Sequence, residues 1–296
     1  GNPARMLALN AGLPQRCAAY TLDTQCCAGL DAIAMGAALI TSGQAHVVIA
    51  GGAEAWSRSP LRMHRPLQAG DAPVPYERPA FAPTPEQDPD MLIAAAQYAA
   101  EHAYTRTEQE SYALESHRRA LEHQALMAME IVPVAGVHHD AYPRFIQADR
   151  AARMPVVACA AQADPNTYGL SALTISAQAD GAALVLLMSP QACAQWGVSA
   201  SMAFQAHASV GGTPEVPLMA AELAAREVLQ RAGGIQPHEL THVELHDAFA
   251  VQGLSFAKGL GLTPEQLNTG GGGLARGHPI SASAAVALVR LLTDLA

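Results

Sequence analysis

The chain has 296 residues, half of them apolar, and a formal net charge of -9 at neutral pH. That length supports two compact domains with a substantial core, while an acidic balance with scattered Lys and Arg argues against nucleic acid or an anionic membrane as partner. No apolar run reaches membrane-spanning length, and the opening GNPARMLALN lacks the charged-then-apolar order of a secretory signal, so the expected location is cytoplasmic. The five cysteines, at 17, 26, 27, 159 and 193, form no CxxC pair, and no HExxH occurs. His138-His139 sits in a polar loop, so neither a disulfide framework nor a metal is expected.

In chain order, CAAYTLD, Gly29 to Thr41 and HVVIAGG predict strand, helix and strand, a βαβ-like unit with no proline between Pro14 and Pro60. Residues 58 to 90 are rich in proline and charge, which predicts an irregular insertion. Helical patterns follow at Met91 to Ala103 and Thr107 to His123, then a second irregular stretch from about Val134 to Tyr168. DGAALVLLMS predicts a fully apolar strand of the kind buried in an α/β sheet, and Ser189-Pro190 a helix start. The last hundred residues predict strand (SMAFQAHASV), helix (220 to 232), strand (HVELHD), helix (249 to 260), and a glycine-rich turn entering an apolar helix. The pattern is α/β in two similar halves, as the pair HVVIAGGAEAW and HVELHDAFAVQ suggests.

Four residues stand where chemistry is expected. A thiol at a helix start meets the positive end of the macrodipole, which predicts a pKa below the usual ~8.5. Cys26 and Cys27 both qualify by position, and each also suits the role of a small buried apolar residue. His278, in GHP, lies at a glycine-lined turn before a helix, where room is left for a ligand. His246, in HDAF, closes a predicted strand, the end at which α/β sheets place their chemistry.

Taken in order, NPARMLALNAGLP, CCAGLDA, VVIAGGAEAWSRSP, EIVPV, DGAALVLLMS, HDAFA and GGGGLARGHPISAS resemble the thiolases over nearly the whole chain. The resemblance implies the thiolase fold: two similar mixed-sheet α/β halves in αβαβα layers, with an inserted loop domain. On that basis the N-terminal half comprises 1–57 plus 180–199, the CoA-binding loop domain 58–179, and the C-terminal half 200–296. The register to Gly29, Leu30 and Ala32 selects Cys26 as the nucleophile. His278 would be its base, attacking a CoA thioester through Cys26 to give an acyl-enzyme that makes or cleaves a β-ketoacyl-CoA. His246 stands where thiolases usually carry the asparagine of NEAF, and an imidazole N–H can also donate to an enolate oxygen. Ser176 matches a pantetheine contact, and Phe249, Met91 and Met219 match positions lining the acyl and pantetheine pocket. Asp90-Met91-Leu92 replaces the usual His-Met-Gly. No permanently bound cofactor is implied, only CoA thioesters as substrates, and the family implies a homodimer or homotetramer.

Two features depart from the family pattern. Thiolases have a strand, a helix and a strand before NPAR, and a CxG turn after the last helix that supplies a second acid/base and an oxyanion-hole N–H; neither is in this chain. Losing one such donor typically costs ~2.7 to 4 kcal/mol. The expectation is therefore a longer thiolase of ordinary length. Two other functions compete: a decarboxylating ketoacyl synthase, which shares the Cys-His-His set, and a thiolase-like scaffold subunit with a decayed site.

Overall fold

The structure is a computed structural model that describes residues 1–296. The backbone falls into two compact units, one comprising Gly1–Glu54, Gly181–Phe204 and Pro279–Ala296, the other Ala55–Asp180 and Gln205–His278.

The first unit is built on an antiparallel pair, Val47–Glu54 with Gly181–Met188, in register from Val47↔Met188 to Glu54↔Gly181. Strand alternation sends Val48, Ala50, Ala183, Val185 and Leu187 to one face, where they pack with Ile33 and Ala285. The helices Ala28–Thr41 and Ser283–Asp294 supply those partners. Ile33 is fully buried, a change worth roughly 2–3 kcal/mol relative to exposure. Gly36 lets the first helix lie directly on the sheet, since a Cβ there would stand 2.8 Å from Leu187 Cδ1 and 3.0 Å from Val48 Cγ1. Gly29 does the same between helices, because its Cβ would meet Ala285 Cβ at 2.9 Å and Ser281 O at 3.0 Å.

Two expectations for this unit need correction. Leu184 and Leu186 on one strand and Ile49 on the other are exposed, so the apolar run 181–188 is buried on one face only. A continuous apolar run looks alike whether one face or both are covered, so composition could not decide this. CAAYTLD, Cys17 to Asp23, forms no strand. Side chains tie down its backbone instead: Arg5 donates to the Gln15 and Cys17 carbonyls at 2.8 Å each, and Asn2 Nδ2 to Ala19 O at 2.9 Å. Asn2 also caps the Pro3–Asn10 helix, its Oδ1 accepting from Arg5 N.

In the second unit the predicted helices form close to their expected bounds, at Met91–Glu101, Arg106–Glu122, Ala220–Arg231 and Ala250–Leu260. Their starts have local causes. Asp90 Oδ1 accepts from Leu92 N and Ile93 N, and Thr105 with Glu108 closes a capping box. The proline-rich stretch 58–90 holds only the short pair Met63–His64 with Val74–Pro75 and a single turn at Pro85–Gln87.

Neither Ser201–Val210 nor His242–Asp247 is a strand, contrary to the periodicity, and Glu130–Val134 contributes only an isolated bridge from Val134 to Val137. His242–Asp247 instead runs beside Gln266–Asn268: Val243 N donates to Gln266 O at 2.7 Å, Asn268 N to Val243 O, and Leu245 N to Asn268 Oδ1 at 2.8 Å. A side-chain amide takes over part of a ladder's work, and alternation of apolar residues does not distinguish the two arrangements.

Candidate active site

Cys26 lies in a 3-10 turn, Gln25–Cys27, that leads into the Ala28–Thr41 helix. Gln25 adopts φ +57°, a left-handed conformation that a non-glycine side chain rarely takes, directly before the candidate nucleophile. The turn packs against a second one, Ile280–Ala282, in the same unit. Cys27 caps the helix by position but makes no side-chain cap bond.

The thiol is not lowered as the helix start predicts. Although Cys26 and Cys27 both keep exposed surface, the surrounding protein strips water from the Cys26 thiol and the neighbouring Cys27 adds to the effect, pushing its pKa up to about 11. Burial, followed by the Asp31 carboxylate, raises Cys27 as well. Desolvation outweighs the dipole because Cys26 sits in the turn ahead of the helix proper. At neutral pH Cys26 is therefore a thiol that needs a base.

The second unit holds two stacked histidines. The His246 and His278 rings lie 4.1 Å apart between centroids, with an interplanar angle of 26°. His246 Nε2 is buried without a protein hydrogen bond, and burial, reinforced by His278 and Arg276, drives the His246 pKa well below its ordinary value, so this ring is neutral. The glycine run makes room for it: a Cβ on Gly273 would stand 2.5 Å from His246 Nδ1. His278 is held through its backbone, its N–H donating to Ala177 O at 2.6 Å and its carbonyl accepting from Ala179 N at 3.3 Å. Gly277 (φ +89°) provides the turn before it.

Ser176 belongs to the same scaffold. It is buried, and its hydroxyl donates to Gly273 O at 2.7 Å while its N–H bonds Ala248 O. Phe249, Met91 and Met219 come together in one apolar cluster with Leu218, Tyr98 and Leu170. Beside it opens a cavity of about 270 Å³ lined by Met91, Phe81, Pro217, Thr213 and Asp88, the last paired with Arg78 at 2.7 Å.

The sequence reading did not single out Asp247 or Tyr112. Asp247 is fully buried, accepts from the Tyr112 hydroxyl at 2.9 Å and from Leu274 N at 3.3 Å, and has its pKa raised to about 6 by burial. An acid directly after the histidine of HDAF was a visible signal; its partner on a distant helix was not.

The fold matches that of the thiolases. The Thiolase, N-terminal domain family profile matches residues 1–191 and the Thiolase, C-terminal domain profile residues 198–296. The chain belongs to the thiolase family. It is 34% identical over 304 residues to an acetyl-CoA acetyltransferase of Chromobacterium violaceum, covering 99% of this chain and 77% of the relative. It is 31% identical over 308 residues to a 3-oxoadipyl-CoA/3-oxo-5,6-dehydrosuberyl-CoA thiolase of Escherichia coli, covering 96% of this chain and 75% of that protein. The fold superposes on a thiolase of Ascaris suum solved in complex with coenzyme A, with a TM-score of 0.85 at 24% identity over all of this chain and 78% of that one.

Proposed function

We propose that the chain is an acetyl-CoA C-acyltransferase of thiolase type, which makes or cleaves a β-ketoacyl-CoA through an acyl group carried on Cys26. In the proposed first step His278 accepts the Cys26 proton and the thiolate attacks the thioester carbonyl. The carbonyl re-forms as the carbon–sulfur bond to CoA breaks, and the departing CoA thiolate takes the proton back. The neutral His246 ring then offers an N–H to the enolate oxygen of the second substrate. The observation that carries this reading is the packing of the Cys26 turn against Ile280–Ala282, the turn that follows His278 in the chain. Nearly the whole chain aligns with acyl-CoA transferring relatives, which supports CoA thioesters as the substrates. The shared apolar cluster of Phe249, Met91 and Met219 supports an acyl or pantetheine subsite, with the cavity lined by Met91 at its edge, and Ser176 takes part by holding the glycine turn. Assembly as a homodimer or homotetramer belongs to the same proposal.

Incubation with acetyl-CoA or acetoacetyl-CoA, followed by peptide mass analysis, tests the reading: one acetyl group should appear on the peptide carrying Cys26. A chain that turns over malonyl but not acetoacetyl thioester is instead a decarboxylating synthase. A chain acylated by neither is a scaffold.

A further inference from the structure

Tyr112 reaches the site from the Arg106–Glu122 helix, in company with two residues on the same face. Tyr112, Ser116 and Ala120 recur every fourth position, and all three meet the glycine run or what it shelters. Ser116 Oγ accepts from Gly272 N at 2.9 Å, and Gly271 (φ +80°) lies so close that a Cβ would stand 2.9 Å from that of Ala120. Tyr112 passes beside Gly253 on the Ala250–Leu260 helix, where any side chain would overlap the phenol. Its hydroxyl then bonds Asp247 Oδ2 at 2.9 Å.

Three glycines thus open three adjoining slots. Gly253 admits the Tyr112 phenol, Gly272 the Asp247 carboxylate and the Asn268 amide, and Gly273 the His246 ring. Larger residues at any of the three would break the line Tyr112, Asp247, His246. The other Asp247 oxygen accepts from Leu274 N, so the carboxylate bonds the glycine turn on one side and the helix on the other. A fully buried carboxyl with two donors needs both of them, because losing either leaves acceptor capacity without water.

We propose that Tyr112 is a positioning residue for the acyl transfer: by donating to Asp247 it holds the extended segment His242–Asp247 and the glycine turn that fix the His246 ring against His278. The proposal rests on the thiolase reading for its kinetic consequence, but not for its structural one.

The charged and polar groups around Asp247 define what would titrate. They are Tyr112 and Arg119 on the helix, His246 next in the chain, Asn268 across the extended segment, and Arg276, which is paired with Glu244 at 2.8 Å. Burial raises the Asp247 carboxyl to about 6, while the Tyr112 bond and Arg276 act in the opposite sense. The phenol pKa lies well above its ordinary value, so Tyr112 stays a donor. Removing that donor lifts the Asp247 pKa further. Acidification then protonates Asp247 earlier, and the turn loses its acceptor at a higher pH.

The experiment compares wild type, Tyr112→Phe and Asp247→Asn. Carbon-13 NMR of labelled aspartate follows the Asp247 carboxyl, and kcat is measured from pH 5 to 9 with acetoacetyl-CoA and CoA. Expected in Tyr112→Phe is an Asp247 titration moved up by ~1 pH unit, the scale of one charge-assisted hydrogen bond. The acid limb of kcat should move with it, KM should change less than kcat, and the acid limb attributable to Asp247 should be missing in Asp247→Asn. An unmoved titration in a folded Tyr112→Phe protein overturns the proposal, as does a moved titration with an unmoved acid limb. If wild type shows no turnover, the thiolase reading fails; the NMR shift, read with the His246 and His278 ring resonances in Tyr112→Phe, still decides the positioning role. Should Tyr112→Phe not fold, Gly253→Ala, which crowds the phenol while keeping its hydroxyl, provides the second variant, and unchanged titration and ring resonances there overturn the proposal.

Discussion

His246 and His278 stack with ring centroids 4.1 Å apart although they lie on different segments, and the His246 ring is buried and neutral. Two cations at that separation would repel strongly, so the arrangement suits one ring that donates while the other exchanges protons. His278→Ala should lower kcat for thioester exchange by ~10²–10⁴, the usual contribution of a general base. His246→Asn, which keeps a donor, should lose far less than His246→Ala. Steady-state kinetics on the three variants checks this; equal losses for Asn and Ala at 246 would remove the donor role.

Cys26 offers a pH test. With its pKa pushed up to about 11, the thiolate is scarce at neutral pH and grows as pH rises toward that value. Iodoacetamide labelling of Cys26, followed by peptide mapping, should therefore accelerate about tenfold per pH unit between pH 7 and 10. Acylation by acetyl-CoA should already be fast at pH 7, since a base then removes the proton, and should collapse in His278→Ala. A labelling rate that levels off below pH 8 would mean a preformed thiolate.

His117 predicts an acid-labile fold. It is 1% exposed, neither ring nitrogen has a hydrogen bond, and burial, followed by Arg144, lowers its pKa from 6.5 to about 4. Between those two pH values the unfolded chain takes up a proton that the folded one refuses. Stability thus rises with pH across that window and is lost as pH falls, by roughly 3 kcal/mol in all. Urea midpoints measured from pH 4 to 7 should show the loss, and His117→Gln should remove its share of the slope while leaving that of the buried, neutral His246.

Gly52 tests the close packing behind the Cys26 turn. A Cβ there would overlap Ser281 O and stand 2.8 Å from Ala282 Cα, both backbone atoms. Gly52→Ala should cost at least the ~1–3 kcal/mol of core overpacking. A denaturant midpoint within error of wild type would show that the Ile280–Ala282 turn shifts freely.

Much of this protein was legible because helix signals are local. Asp90 and Thr105 with Glu108 each cap a helix that the periodicity had already bounded, and Ser189 caps the helix whose start Ser189-Pro190 marks. Strands fared worse: Val47–Glu54 and Gly181–Met188 formed as expected, but Cys17 to Asp23 and His242–Asp247 satisfy their backbones with side chains and neighbouring loops. Strand alternation says which residues suit a pleated surface, and nothing about whether a partner strand lies alongside.

The chain order of its motifs, CCAGLDA before HDAFA before GHP, determined the family and the three candidate residues Cys26, His246 and His278, because motif identity and order are properties of the sequence itself. Tertiary structure decided how those groups are charged and held. The helix start favours a thiolate at Cys26, yet desolvation by residues distant in sequence lifts its pKa to about 11. Likewise, nothing local joins Tyr112 to Asp247; only the glycine gaps at 253 and 272 bring a phenol and a carboxylate 135 positions apart within 2.9 Å. Protonation states and side-chain partners depend on what surrounds a group in space, and for both residues that surrounding comes from other segments of the chain.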